Sequence, residues 1–251
     1  MKDINIDKFR DIKNFFFISP HLDDAILSCG LFIRRLVEAK KNVTVITLFT
    51  KANNKVNTPI TRQILKNSSH KNSLSLFLTR RREDIEVSKS LKIMHRHLGL
   101  VDAPWRTDYL GKALYKTEKD LFSGKVKKLD NKLIIQISNK IKKIAKNNGP
   151  LILFPIGIGS HVDHLITRSS ALLIKHKKLF YEDYPYNNLG VIRKLLLQKD
   201  FKTYFKIISK DTLEKKKLMK FYDSQYKTLF PSGNIPNRNE VFYQLRTNED
   251  S

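Results

Sequence analysis

Apolar residues fall in short, sharply bounded runs along the chain, and these runs alternate with segments of helical spacing. Residues 14–18 (NFFFI) form a block closed by Ser19-Pro20, and residues 42–49 (NVTVITLF) are rich in β-branched side chains, so both predict buried strands. Between them Ile26, Leu27, Leu31, Phe32 and Leu36 recur at three- and four-residue steps, which predicts a helix over 25–40. A strand, a helix and a strand in that order predict a parallel pair. Two further helices are predicted, one from about Arg81 to His95 and one over 131–147, where Leu133, Ile134, Ile137, Ile141 and Ile144 share a face before Gly149-Pro150 stops it. Residues 151–156 (LILFPI) read as a strand, 157–164 as a loop, 165–175 as a short helix and 179–182 (LFYE) as a strand. The tail predicts a helix from Asp211 to about Tyr226 and a strand-like piece over 240–245. The class is α/β, on a mostly parallel sheet.

Two stretches carry no clear period: 51–79, rich in Ser, Asn and Lys, and 109–130, broken by Gly111 and Gly124. They read as loop insertions beside a site, where lids and specificity loops usually lie. At 251 residues the chain is long enough for one domain with a substantial core, so a single domain over 1–251 is expected.

Composition narrows the classes. No stretch nears the roughly 18 consecutive apolar residues of a membrane span, and the early apolar run is too short and too late for a signal peptide. The single cysteine, Cys29, rules out an intramolecular disulfide and a multi-cysteine zinc site, so a cytoplasmic location is expected. The net charge of +24 admits an anionic or phosphorylated substrate, a nucleic acid or an anionic membrane surface as partner. The lysines are spread along the chain and are not clustered with aromatic residues, so no specific nucleic-acid partner is expected and the charge reads as compositional drift.

Chemistry concentrates at two strand ends. Residues 19–24 (SPHLDD) follow the first strand and 159–164 (GSHVDH) follow the strand over 151–156, positions where open α/β sheets bind ligands. Facing each other, these loops would gather three histidines and three aspartates, donors suited to zinc, with iron(II) served by the same set. Taken singly, Asp23 or Asp24 reads as a helix cap, His21 as a satisfied buried histidine, and His161 and His164 as the start of a helix. Two such clusters at matching strand ends favour a metal site. The pair His95 and His97, among basic residues, reads as structural or solvated.

With these motifs the chain resembles the PIG-L or LmbE-like zinc deacetylases, through His21-Leu22-Asp23-Asp24 and His161-Val162-Asp163-His164. Residues 80–84 with Leu91, 102–106 (DAPWR), 181–186 (YEDYPY) and Ser224-Gln225 extend the match over most of the chain. The family often has proline at the Leu22 and Val162 positions and glutamate at Ala25, so the surroundings of water and substrate differ here. The resemblance implies a three-layer Rossmann-like fold, an open, mostly parallel sheet with helices on both faces. It implies removal of an acetyl group from the amide nitrogen of an N-acetylated amino sugar. His21, Asp24 and His164 would be zinc ligands, Asp23 the general base, His161 the group stabilising the tetrahedral intermediate and Asp163 its partner. Arg80 and Arg106 would contact substrate hydroxyls or phosphate. Two alternatives stand beside this: a metal-dependent deacylase acting on a non-sugar amide, and a basic nucleic-acid or membrane-surface binder with a degenerate site.

Overall fold

The computed structural model describes residues 6–146, 149–186, 201–208, 213–230 and 232–246. Its strands are β1 (Asn14–Ser19), β2 (Asn42–Lys51), β3 (Met94–Val101), β4 (Leu151–Pro155), β5 (Lys178–Tyr181), β6 (Phe201–Ile207) and β7 (Glu240–Leu245). They form one seven-stranded sheet in the order β3-β2-β1-β4-β5-β7-β6. Pairing is parallel from β3 through β5, whereas β7 is antiparallel to both of its neighbours. The mostly parallel α/β sheet expected from the sequence is present.

The helices are α1 (Asp24–Glu38), α2 (Pro59–Asn67), α3 (Ser73–Ser90), α4 (Glu118–Leu121), α5 (Asn131–Ala145), α6 (Val162–Leu172), α7 (Leu213–Met219) and α8 (Asp223–Leu229). Alternate residues of β1 enter two separate cores, which is why its sequence is apolar without a break. Phe15 and Phe17 pack with Ile26, Cys29 and Phe32 of α1, Val87 of α3 and Leu218 of α7. Phe16 and Ile18 pack with Ile137 and Ile141 of α5 and Ile166 of α6. Helices therefore cover both faces of the sheet, each large side chain contributing about 1.5–3 kcal/mol by leaving water.

Several expectations need correction. The helix expected from Arg81 to His95 runs instead over Ser73–Ser90, and His95 and His97 lie on β3 at the sheet edge. Its buried face includes Arg80, Glu83 and Asp84 beside Leu76, Phe77 and Val87, so apolar periodicity does not reveal it. Asn72 starts this helix by accepting a hydrogen bond from the Ser75 amide at 2.9 Å. The stretch 51–79 is not a plain loop, since it holds α2, opened by a Thr58–Thr61 capping box with Pro59 in the first turn. In 109–130 only α4 and a 3-10 turn at Lys128–Asp130 are regular. The expected helix over 211–226 appears as α7 and α8, broken at the buried Tyr222; its first two residues lie outside the described ones, as does Asn147 at the expected end of α5. Strands β3 and β6 were not anticipated.

The chain steps outward from β1 to β3 and then resumes at β4, on the other side of β1. The loops after β1 and β4 thus meet at the point where the strand order reverses, the ligand-binding crevice of open α/β sheets.

Candidate metal and catalytic site

The loop after β1 is tied to itself before it reaches any ligand. Ser19 Oγ donates to the His21 carbonyl at 2.6 Å and accepts from the Ala25 amide at 3.0 Å, while the His21 amide donates to Asp24 Oδ2 at 2.7 Å. Asp23 occupies the N-cap position of α1, yet its side chain makes no cap hydrogen bond. Its carboxylate faces the cleft instead, with Arg80 Nη2 at 3.5 Å. The loop after β4 turns at Gly157 and Gly159, both at positive φ, and a Cβ on Gly159 would lie 2.9 Å from the Tyr186 ring. Asp183 Oδ2 accepts from the amides of Gly157 and Ile158 at 2.7 and 2.9 Å, pinning that turn.

The two loops bring their histidines together. Ring centroids of His21 lie 4.9 Å from His161 and 5.3 Å from His164. Asp24 Oδ2 sits 3.0 Å from His21 Nδ1 and 3.3 Å from His164 Nε2. The far nitrogens rest on carboxylates: His164 Nδ1 is 2.6 Å from Asp183 Oδ1, and His21 Nε2 is 3.2 Å from Asp163 Oδ2 and 3.5 Å from Asp102 Oδ1. Histidines that bind metals are typically oriented this way. The buried His164 Nε2 has no hydrogen-bond partner. A divalent ion held by His21, Asp24 and His164 fits that orphaned nitrogen and the mixed imidazole and carboxylate donors. His21, His161 and His164 offer donor atoms within 4.8 Å of one another, and so do His21, Asp102 and Asp163.

Burial disfavours charge on every group here, so a shift in the opposite sense reports its neighbours. Against burial, Asp102 and Asp24 hold His21 well above the usual imidazole range, and Asp24 and Asp183 raise His164 to about 10. Against burial again, His164 and His21 keep Asp24 well below the usual carboxylate range, and Arg106 does the same for Asp163. Burial and the neighbouring His21 hold His161 well below its ordinary value. Burial pushes Asp23 up to about 6, with Arg80 opposing and Asp24 adding to the rise.

A cleft of about 420 Å³ opens over this cluster. Its floor is His21, Asp23, Asp24, Asp102 and His161; its rim comes from Ile60 and Ile64 of α2, Leu121 of α4 with the following Phe122, and Gln225 and Leu229 of α8.

The sequence profile of the GlcNAc-PI de-N-acetylase (PIG-L) family matches residues 16–174, a span that contains both His/Asp loops. The chain belongs to this family. Among its relatives, the 2'-N-acetylparomamine deacetylase of Niallia circulans is 29% identical in an alignment of 191 positions that covers 70% of this chain and 69% of that protein. The zinc-inhibited form of teicoplanin deacetylase Orf2 superposes with a TM-score of 0.77 at 24% identity, covering 95% of this chain and all of that one. The N,N'-diacetylchitobiose deacetylase from Pyrococcus horikoshii gives 0.56 at 14% identity, covering 95% and 85%. These structural likenesses establish a shared fold.

Within this PIG-L frame the structure separates the two arginines that the sequence treated alike. Arg80 lines the cleft between Asp23 and Asp102, with its Nε buried and lacking a hydrogen-bond partner. Arg106 does not line it. Its Nη1 is 2.5 Å from Asp163 Oδ1, its Nε is 3.0 Å from Asp130 Oδ2, and its guanidinium lies over the rings of Phe49 and Tyr115. Asp163, Asp130 and the two rings thus hold Arg106 behind the cleft lining, with its Nη2 buried and without a hydrogen-bond partner. Asp163 likewise turns its carboxylate to Arg106, the Ala103 amide and His21; only its backbone amide meets His161, donating to Nδ1 at 3.2 Å. Sequence reasoning assigned no role to Asp102 or Asp183. Each stood in a stretch matching the family, but no fixed spacing links them to the histidines. His97, read as structural or solvated, lies outside the cleft lining, where its Nε2 donates to Asp84 Oδ2 at 2.7 Å.

Proposed function

We propose that this chain is a metal-dependent hydrolase that removes the acetyl group from the amide nitrogen of an N-acetylated amino sugar or its conjugate. The observation that carries this reading is the convergence of His21 and Asp24 at the cleft floor with the buried His164 directly behind Asp24, the far nitrogen of each histidine on a carboxylate and Asp23 alongside. The family, and a relative acting on 2'-N-acetylparomamine, support an amino-sugar amide as the bond cleaved.

His21, Asp24 and His164 would hold zinc, with iron(II) served by the same donors. When bound, the ion polarises the amide carbonyl and lowers the pKa of water to about 7. Asp23 takes a proton from the attacking water as its oxygen bonds to the acyl carbon. His161 Nδ1 accepts the Asp163 amide, so the neutral ring carries its proton on Nε2 and can donate to the developing oxyanion. The carbon–nitrogen bond then breaks as Asp23 returns the proton to the departing amine, leaving acetate and the free amino sugar. Arg80 and Asp102, side by side at the floor, offer donors and acceptors to sugar hydroxyls, and Trp105 and Phe122 offer apolar faces. No helix among the described residues is long and apolar enough to cross a membrane. With one buried cysteine, the reaction is assigned to a reducing cytoplasm.

Acetate release by zinc-loaded protein tests this on a panel of N-acetylglucosaminides with varied aglycones and simple acetamides. Acetate with equimolar free amine from the sugar members is expected. Turnover of non-sugar acetamides alone would move the reading to a general deacylase, and no turnover of any member would overturn it.

A further inference from the structure

Behind the cleft, the middle of α1 is occupied by a buried ion pair. Both oxygens of Glu240, the first residue of β7, accept backbone hydrogen bonds from α1: Leu31 to Oε1 and Phe32 to Oε2, each at 2.9 Å. Lys215 of α7 donates to the Leu27 carbonyl at 3.0 Å and lies 3.5 Å from Glu240 Oε1. In a regular helix the Leu31 amide would bond that same Leu27 carbonyl. One carboxylate thus takes two consecutive interior amides, and one ammonium a carbonyl, within a helix that runs from Asp24 to Glu38. Gly30 sits at this turn, and a Cβ there would lie 2.4 Å from Leu218 Cδ1, so α7 packs directly on its backbone.

The ion pair sits between the first half of α1, which runs to Leu27, and the second, which starts at Leu31. The ammonium meets the carbonyl end of the first half and the carboxylate meets the amide end of the second, the charges each end favours. Glu240 is 2% exposed and Lys215 5%, so neither charge is answered by water. The first half carries Asp24, follows Asp23 directly and presents Leu27 to the cleft. The same Lys215 ammonium lies 4.7 Å from the ring centroid of Tyr184, another cleft residue, whose amide donates to Ser28 Oγ at 3.1 Å.

We infer that Lys215 and Glu240 are positioning residues for the deacetylation, holding the backbone of α1 at Leu27–Phe32 so that Asp23 and Asp24 meet the histidines of the second loop. This rests on the metal-hydrolase reading above. The pair acts through α1 and Tyr184 and touches neither metal nor substrate. It also gives the C-terminal part of the chain, beyond the family match, a part in the chemistry.

The test uses full-length protein carrying Glu240→Gln, Lys215→Met or both, with Lys217→Met, an exposed lysine of α7, as control. Removing one partner leaves a buried charge unpaired, so the single variants should lose stability, whereas the double variant should recover most of it. Recovery of the thermal midpoint without recovery of function separates positioning from folding. In the double variant, zinc affinity measured by chelator competition should fall about tenfold and kcat about tenfold, with KM within about twofold. Glu240→Gln keeps its volume and one acceptor oxygen, so it carries the same comparison if the double variant does not fold. Zinc affinity and kcat within twofold of wild type in either folded variant would overturn the inference. Failure of the functional reading looks different, as wild-type protein that releases no acetate from any substrate.

Discussion

The floor and the rim of the cleft are built on opposite principles. The floor is two short loops, each closed by its own hydrogen bonds and each leading from a buried strand into a helix, with Asp183, Asp163 and Asp102 bracing the histidines from behind. The rim is assembled from α2, α4 and α8, separate pieces that pack through small apolar clusters rather than through the sheet. Catalytic geometry tolerates little displacement, so it rests on over-determined backbone, whereas substrate choice can be altered by exchanging rim side chains without moving the floor.

Substitutions at the two levels should differ in kind. The largest effect is expected behind the floor: Arg106→Met leaves Asp163 and Asp130 buried without their cation and should cost about 3–5 kcal/mol of stability by chemical denaturation. A loss below about 1 kcal/mol, with KM raised instead, would place Arg106 at the substrate. Next, Asp23→Asn keeps the shape of the proposed general base but not its basic oxygen. Turnover should fall roughly a hundredfold or more while metal content stays near one ion per chain; near-normal turnover with metal bound removes Asp23 from the proton path. Asp183→Asn tests the bracing itself, since it weakens the partner of His164 Nδ1 without touching the cleft. Metal affinity should drop by roughly 10–100-fold, read by chelator competition, and an unchanged affinity would make Asp183 only a loop anchor. The smallest effects belong to the rim and the sugar contacts. Phe122→Ala or Arg80→Ala should raise KM on the true substrate by about tenfold or less, without altering metal content. A loss of metal in either variant would erase the distinction between floor and rim.

The residues legible in the sequence are those whose role is local. His21, Asp23 and Asp24 share one strand-to-helix turn and His161, Asp163 and His164 another, so a few residues of context suffice to bring them out. The start of α2 and the whole of β6 were missed, although Thr58-Pro59 is a helix-start signal and Phe201, Phe205 and Ile207 alternate with polar residues; α2 lay in a stretch rich in lysine, asparagine and serine. Helix α3 was harder, because Arg80, Glu83 and Asp84 occupy its buried face and are satisfied there by Asp23, Ser224, Tyr222 and His97. Charged residues on a buried face mimic an exposed helix in any pattern of apolar spacing.

By itself the sequence determined the strands and helices from β1 to β2 and from α5 to β5, the placement of both His/Asp loops at strand ends and the family to which they point, since these follow from short-range periodicity, turn chemistry and motif. The tertiary structure alone decided what each charge is for. Arg80 and Arg106 are equally basic and differ only in whether carboxylates and rings enclose them. Asp183 reaches its histidine across 19 residues, and Glu240 reaches its helix across 209. A buried charge takes its function from the partner that offsets its desolvation, and that partner is chosen by the packing of distant segments, which no local pattern records.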